Sequence, residues 1–161
     1  MTSEPDYRLL AKQVAAVAEE DPRWVPALSN TSALIGDALD DINWAGFYIR
    51  ETTADGSDRL VLGPFQGKTA CIRIPWGRGV CGTAAFEDRT QLVPDVHAFP
   101  GHIACDSASN AEIVVPIHDR QGKVTAVLDI DSPLKGRFTE EDREGLEAFV
   151  SVLEKYGAWN E

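Results

Sequence analysis

The sequence predicts an α+β fold in which helices from both ends of the chain pack on one face of a mostly antiparallel sheet. Three observations carry this. Helical apolar periodicity occupies residues 1–40 and 139–158. Short strand-like runs fill 42–133, several of them joined by tight turn signals. A Gly/Pro-broken segment, 94–110, has no periodicity of its own, as expected of a loop lidding a pocket on the other sheet face. All 161 residues are read as one domain.

In order, Leu10, Val14 and Val17 share one face of a first helix, with Ser3 and Pro5 as start signals. A second helix runs from Trp24 to Leu39 with Leu28, Ile35 and Leu39 inward. Asn43 to Ile49 is a strand, and beyond the Asp55-Gly56 turn its partner is Arg59 to Leu62. Cys71 to Ile74 is a third short strand, and Gly77-Arg78-Gly79 leads into a short helix, Val80 to Glu87. Gln91 to Val93 is a fourth strand. After the 94–110 loop, Glu112 to His118 and Val124 to Asp131 form a hairpin across 119–122. Thr139 with Asp142 resembles a capping box opening a closing helix, with Leu146, Phe149, Val150 and Leu153 on one face.

Composition excludes several classes of function. The 15 basic and 26 acidic residues give a net charge of -11, which repels phosphate backbones and anionic lipids. The opening residues 1–6 lack the basic and apolar regions of a secretory signal, and no apolar stretch approaches membrane-spanning length. An odd count of three cysteines without such a signal points to a reducing cytoplasm.

Cys105 is the first candidate for chemistry, because it lies in the polar segment Phe99-Pro100-Gly101-His102-Ile103-Ala104-Cys105-Asp106-Ser107. Reactive thiols are partly exposed and favour the thiolate, whereas structural ones are buried and inert. Cys81, at a helix start, suits the inert reading best. Asp129 and Asp131 share one strand face, and Glu112 begins the strand paired with it. Such acids repel unless a cation sits among them or one is protonated. The bland readings are a solvated strand end for Glu112 and a turn at Asp131-Ser132-Pro133. Trp44 and Tyr48 share a strand face, as pocket wall or as ordinary core. A metal reading would gather His97, His102 and Cys105 with Cys71 or Cys81, but the spacing is irregular and no C-x-x-C is present.

Together these segments resemble the free methionine-(R)-sulfoxide reductases, which are single GAF domains. The resemblance rests on 68–74, Gly77-Arg78-Gly79-Val80-Cys81-Gly82-Thr83-Ala84, 94–97, Pro100-Gly101-His102-Ile103-Ala104-Cys105-Asp106, 109–116 and Leu128-Asp129-Ile130-Asp131-Ser132-Pro133. It implies Cys105 as catalytic thiol, Cys71 as its main resolving partner and Cys81 in a secondary role. It also implies a pocket lined by Trp44, Tyr48, Glu112, Asp129 and Asp131. The substrate would be free methionine-(R)-sulfoxide and the reductant thioredoxin, with no metal, flavin or nucleotide required. A homodimer is compatible with it. The alternative is a non-catalytic GAF sensor of a small molecule.

Overall fold

In the computed structural model, residues 5–21, 23–103 and 107–156 are described. Cys105, the start signal Ser3 and the last residues of the expected closing helix lie outside them. The elements are α1 (Tyr7–Glu20), α2 (Trp24–Ala38), β1 (Trp44–Thr52), β2 (Asp58–Gly67), β3 (Arg73–Pro75), α3 (Gly79–Glu87), β4 (Gln91–Val93), β5 (Ala111–His118), β6 (Val124–Ser132) and α4 (Glu140–Tyr156).

Local chemistry sets the helix starts. Asp6 caps α1 by accepting from the Leu9 amide at 3.0 Å. At α4 the capping box forms as expected: the Thr139 amide donates to Asp142 Oδ2 at 2.9 Å, and the Asp142 amide donates to Thr139 Oγ1 at 3.3 Å. Along α1 the buried positions are Leu10, Val14 and Ala18, so Ala18 replaces the expected Val17. The interval is four residues throughout, which keeps all three under the same neighbours.

The six strands form one sheet in the order β3-β2-β1-β6-β5-β4, every neighbouring pair antiparallel. Period-two alternation divides its side chains between two cores. Ala45, Phe47, Ile113, Val115, Leu128 and Ile130 point toward the helical layer, where α2 and α4 lie on the sheet and α1 packs against both. Trp44, Tyr48, Val114 and Val127 point the other way, toward α3. The terminal helices therefore share one face, as expected, and α3 together with the loop after β4 covers the second.

Two segments differ from their expected form. The third strand begins at Arg73 rather than Cys71, because the Cys71 carbonyl accepts from the Tyr48 hydroxyl at 2.9 Å instead of joining the ladder. The 94–110 loop contains a 3₁₀ turn, Val96–Ala98, capped by Asp95 and tied down by the Val96 amide donating to the Asn110 carbonyl at 2.9 Å.

Candidate active site

The sheet's second face carries a cavity built by register. Glu112 on β5 pairs with Asp131 on β6, and Asp131 in turn faces Trp44 on β1. Two residues back, Asp129 lies between Val114 and Gly46. Paired residues in an antiparallel ladder share a face, and diagonal neighbours remain in side-chain reach. The two aspartates and the glutamate thus form one acidic floor. Gly46 adds no side chain there, and a Cβ would stand 2.3 Å from Phe65 Cβ.

The walls come from three other elements. Trp44 stacks on Phe65 at 5.2 Å and on Tyr48 at 5.9 Å. Both pocket aromatics also hold the segment before β3, since Trp44 Nε1 donates to the Lys68 carbonyl at 3.1 Å and Tyr48 to that of Cys71. The start of α3 supplies Gly79, Val80 and Cys81, and Ile103 closes over Gly79. Gly79 has φ 65°, and a Cβ there would meet Ile103 at 3.1 Å. Both the left-handed backbone and the close approach therefore require glycine. About 50 Å³ remains open to the centres of water-sized atoms.

The electrostatics are those of crowded, buried acids. Glu112 is 8% exposed and Asp129 5% exposed. Burial, then the charges of Asp129 and Asp131, pushes the Glu112 carboxyl well above the usual range. Burial also raises Asp129. Burial and the neighbouring carboxylates both favour the neutral acid form of Glu112. Asp129 Oδ1 has no hydrogen-bond partner among the described residues. The Cys81 thiol donates to Glu112 Oε2 at 3.8 Å, and burial, followed by the carboxylates, pushes its pKa up. Cys81 is a free thiol, whereas Cys71 is disulfide-bonded.

The structure thus brings together Trp44, Tyr48, Cys81, Glu112, Asp129 and Asp131 around one cavity. Cys71 joins it through the carbonyl held by Tyr48. The solvated reading of Glu112 is overturned by its burial. His97 and His102 stand edge to face at 6.1 Å, but His97 Nε2 pairs with Asn110 Oδ1 at 3.0 Å, and only His102 lines the cavity. Thr69 and Ser109 are polar lining groups that the sequence does not single out, and His102, a candidate only in the metal reading, lines the cavity with them. Periodicity could not have found them, because all three lie in irregular backbone.

The comparisons with known proteins agree with this geometry. The GAF domain model matches residues 23–155. The chain is 52% identical over 149 residues to the free methionine-R-sulfoxide reductase of Escherichia coli, covering 92% of this chain and 87% of that protein. The chain belongs to the free methionine-R-sulfoxide reductase family of GAF domains. Among solved members, the fRMsr of Staphylococcus aureus in complex with substrate superposes with a TM-score of 0.88 at 51% identity, covering 98% and 99% of the two chains. The free methionine-R-sulfoxide reductase of Neisseria meningitidis in complex with its substrate gives 0.87 at 42%, covering 99% and 95%. Family membership accounts for the single GAF domain. No helix among the described residues is long and apolar enough to cross a membrane.

Proposed function

We propose that this chain reduces free methionine-(R)-sulfoxide to methionine. The observation that carries the reading is the acidic floor of buried Glu112 and Asp129 with half-buried Asp131, where Asp129 Oδ1 has no hydrogen-bond partner among the described residues, beneath the Trp44–Tyr48 wall. A free amino acid brings an ammonium group that answers that oxygen, and a sulfoxide that needs a proton. Glu112, kept neutral by burial, supplies the proton, while Asp129 and Asp131 hold the ammonium.

In the proposed chemistry the Cys105 thiolate attacks the sulfoxide sulfur as the oxygen is protonated. Methionine leaves and the oxygen stays on Cys105 as a sulfenic acid. The Cys71 thiol then displaces that oxygen as water, forming a disulfide. That Cys71 is disulfide-bonded while Cys81 is a free thiol supports Cys71 as the resolving residue. The raised pKa of Cys81 makes it a poor competitor, because only the thiolate is nucleophilic. A dithiol protein of the thioredoxin kind returns both sulfurs to thiols by exchange.

The test is to incubate the purified chain with racemic methionine sulfoxide and a dithiol and to quantify methionine. The proposal expects release to stop once the R epimer is exhausted. Consumption of the S epimer, or binding without methionine release as a sensor would give, contradicts it.

A further inference from the structure

Residues 68–72, which carry Cys71, belong to no helix or strand, and Lys68 and Thr69 are exposed. A segment without a ladder opens easily unless something else ties it down. Here β1 and β2 supply the ties. Trp44 Nε1 donates to the Lys68 carbonyl at 3.1 Å, the Tyr48 hydroxyl to the Cys71 carbonyl at 2.9 Å, and the Leu62 amide to the Ile72 carbonyl at 2.8 Å. We propose that Trp44 and Tyr48 are positioning residues for the resolving thiol: their side-chain hydrogen bonds hold the Cys71 backbone where its sulfur closes on Cys105. The assignment rests on the reductase reading above and gives the two aromatics a task in the second half of the cycle, beyond walling the cavity.

Both donors come from well-packed rings. Tyr48 is 2% exposed and stacks on Trp44, and the Trp44 ring lies so near Gly67 that a Cβ there would stand 2.6 Å from Trp44 Cδ1. Burial, then the charges of Asp129, Cys81, Asp131 and Glu112, pushes the Tyr48 pKa up, so its hydroxyl stays a donor at neutral pH. The bond to the Cys71 carbonyl is present while Cys71 is disulfide-bonded, so it acts on the product of the resolving step. In that step the Cys71 sulfur attacks the sulfenic sulfur of Cys105. An S–S bond forms as the S–O bond breaks, and the oxygen leaves as water with the proton of the Cys71 thiol. Such an intramolecular closure follows the effective concentration of one group near the other, which a tethered backbone raises.

Two measurements on Tyr48→Phe, which keeps the ring and deletes the donor, test this. In the first, the Cys71 disulfide is equilibrated with reduced and oxidised dithiothreitol, and free thiols are alkylated and counted by mass spectrometry. No substrate is present, so a role confined to the substrate wall leaves this equilibrium unmoved. In the second, the reduced chain meets racemic methionine sulfoxide and dimedone without reductant, and the Cys105–dimedone adduct is compared with the Cys71 disulfide. The disulfide equilibrium constant should fall, and the adduct-to-disulfide ratio rise, by about 2- to 12-fold, the weight of one net hydrogen bond. Trp44→Phe should move both in the same direction, and it carries the test if Tyr48→Phe loses the native circular dichroism spectrum. Changes below about twofold in both quantities overturn the proposal, even with a lowered melting temperature, which a purely structural role would give. Absence of methionine from the wild type contradicts the reductase reading instead, and the dithiothreitol equilibrium still decides the anchoring.

Discussion

Glu112 and Asp129 sit in one cavity yet have separable tasks in the proposed chemistry. Glu112 has the largest reason to stay protonated, since burial and two neighbouring acids all disfavour its charge. Glu112→Gln removes a proton donor without adding bulk and should lower kcat about 10²-fold or more. In the wild type, turnover should fall as pH rises through the Glu112 pKa, because the acid form is lost. Asp129→Asn should instead raise KM about tenfold or more, since a hydrogen bond to a charged group contributes about 1.5–3 kcal/mol. Steady-state kinetics of the two variants checks this, and a pure KM effect from Glu112→Gln would reverse the assignment. For the cysteines, Cys71→Ser should still release about one methionine per enzyme without reductant, because sulfenic acid forms before any disulfide. Its steady-state rate with a dithiol protein should collapse. Mass spectrometry of the oxidised wild type should find Cys71 bridged to Cys105; a bridge from Cys81 would exchange the roles of the two thiols. The acids could be read from the sequence because they interrupt apolar strands. The Asp129 oxygen without a partner among the described residues could not, since hydrogen-bond partners depend on the folded surroundings.

At the scale of elements, α3 shows how closely the cavity roof is fitted. A Cβ on Gly82 would stand 2.4 Å from the Pro75 carbonyl oxygen, while the Gly82 carbonyl itself accepts from the Gly77 amide at 3.0 Å. Gly82→Ala must push the segment between β3 and α3 outward, at a cost of about 1–3 kcal/mol. For a chain of this size that is a fall of several degrees in Tm, at about 2–4 °C per kcal/mol. A thermal melt within a degree of wild type would mean that the contact is slack. The glycines were visible in the sequence only as turn residues before a helix, and the close approach at Gly82 needed the fold. Period-two alternation and paired turn signals made the hairpin of β5 and β6 legible almost to the residue. The capping box at Thr139 was equally legible, because its spacing is local. The start of β3 was not. Cys71 and Ile72 have strand-like side chains, but a hydroxyl 23 residues away takes the Cys71 carbonyl. Nor was the 3₁₀ turn at 96–98, which depends on the distant carbonyl of Asn110 as well as on the local Asp95 cap.

Across the whole molecule, the two layers are clasped at the edge remote from the cavity by His118. Its Nε2 meets Asp88 Oδ1 at 2.5 Å, at the left-handed C-cap of α3, and its Nδ1 meets Glu154 Oε1 on α4 at 3.2 Å. Burial lowers the His118 pKa, but the hydrogen bonds to both carboxylates outweigh it and the net direction is up. A raised folded-state pKa stabilises below the unfolded value, and that stability is lost as pH rises through the folded value. His118→Gln should therefore lower Tm by about 1–4 °C near pH 6, the scale of a partly exposed ion pair. The gap should narrow near pH 9, where the wild-type imidazole is neutral. A gap that stays constant across that range would assign His118 a packing role instead.

The same two-layer plan bounds the cavity with the sheet below, α3 above and the aromatic wall beside it. A narrow acidic cavity should discriminate by charge and by size. The most direct measurement is methionine released from free methionine-(R)-sulfoxide beside that from its N-acetylated, amidated form, with Cys105→Ser as control. A site whose buried polar groups go unpaired with the wrong ligand can discriminate by about 10⁴. Strong turnover of the free form, almost none of the blocked form, and less than about a tenth of the rate in Cys105→Ser are expected. Equal rates on the two forms, or full activity without the Cys105 thiol, would contradict the account.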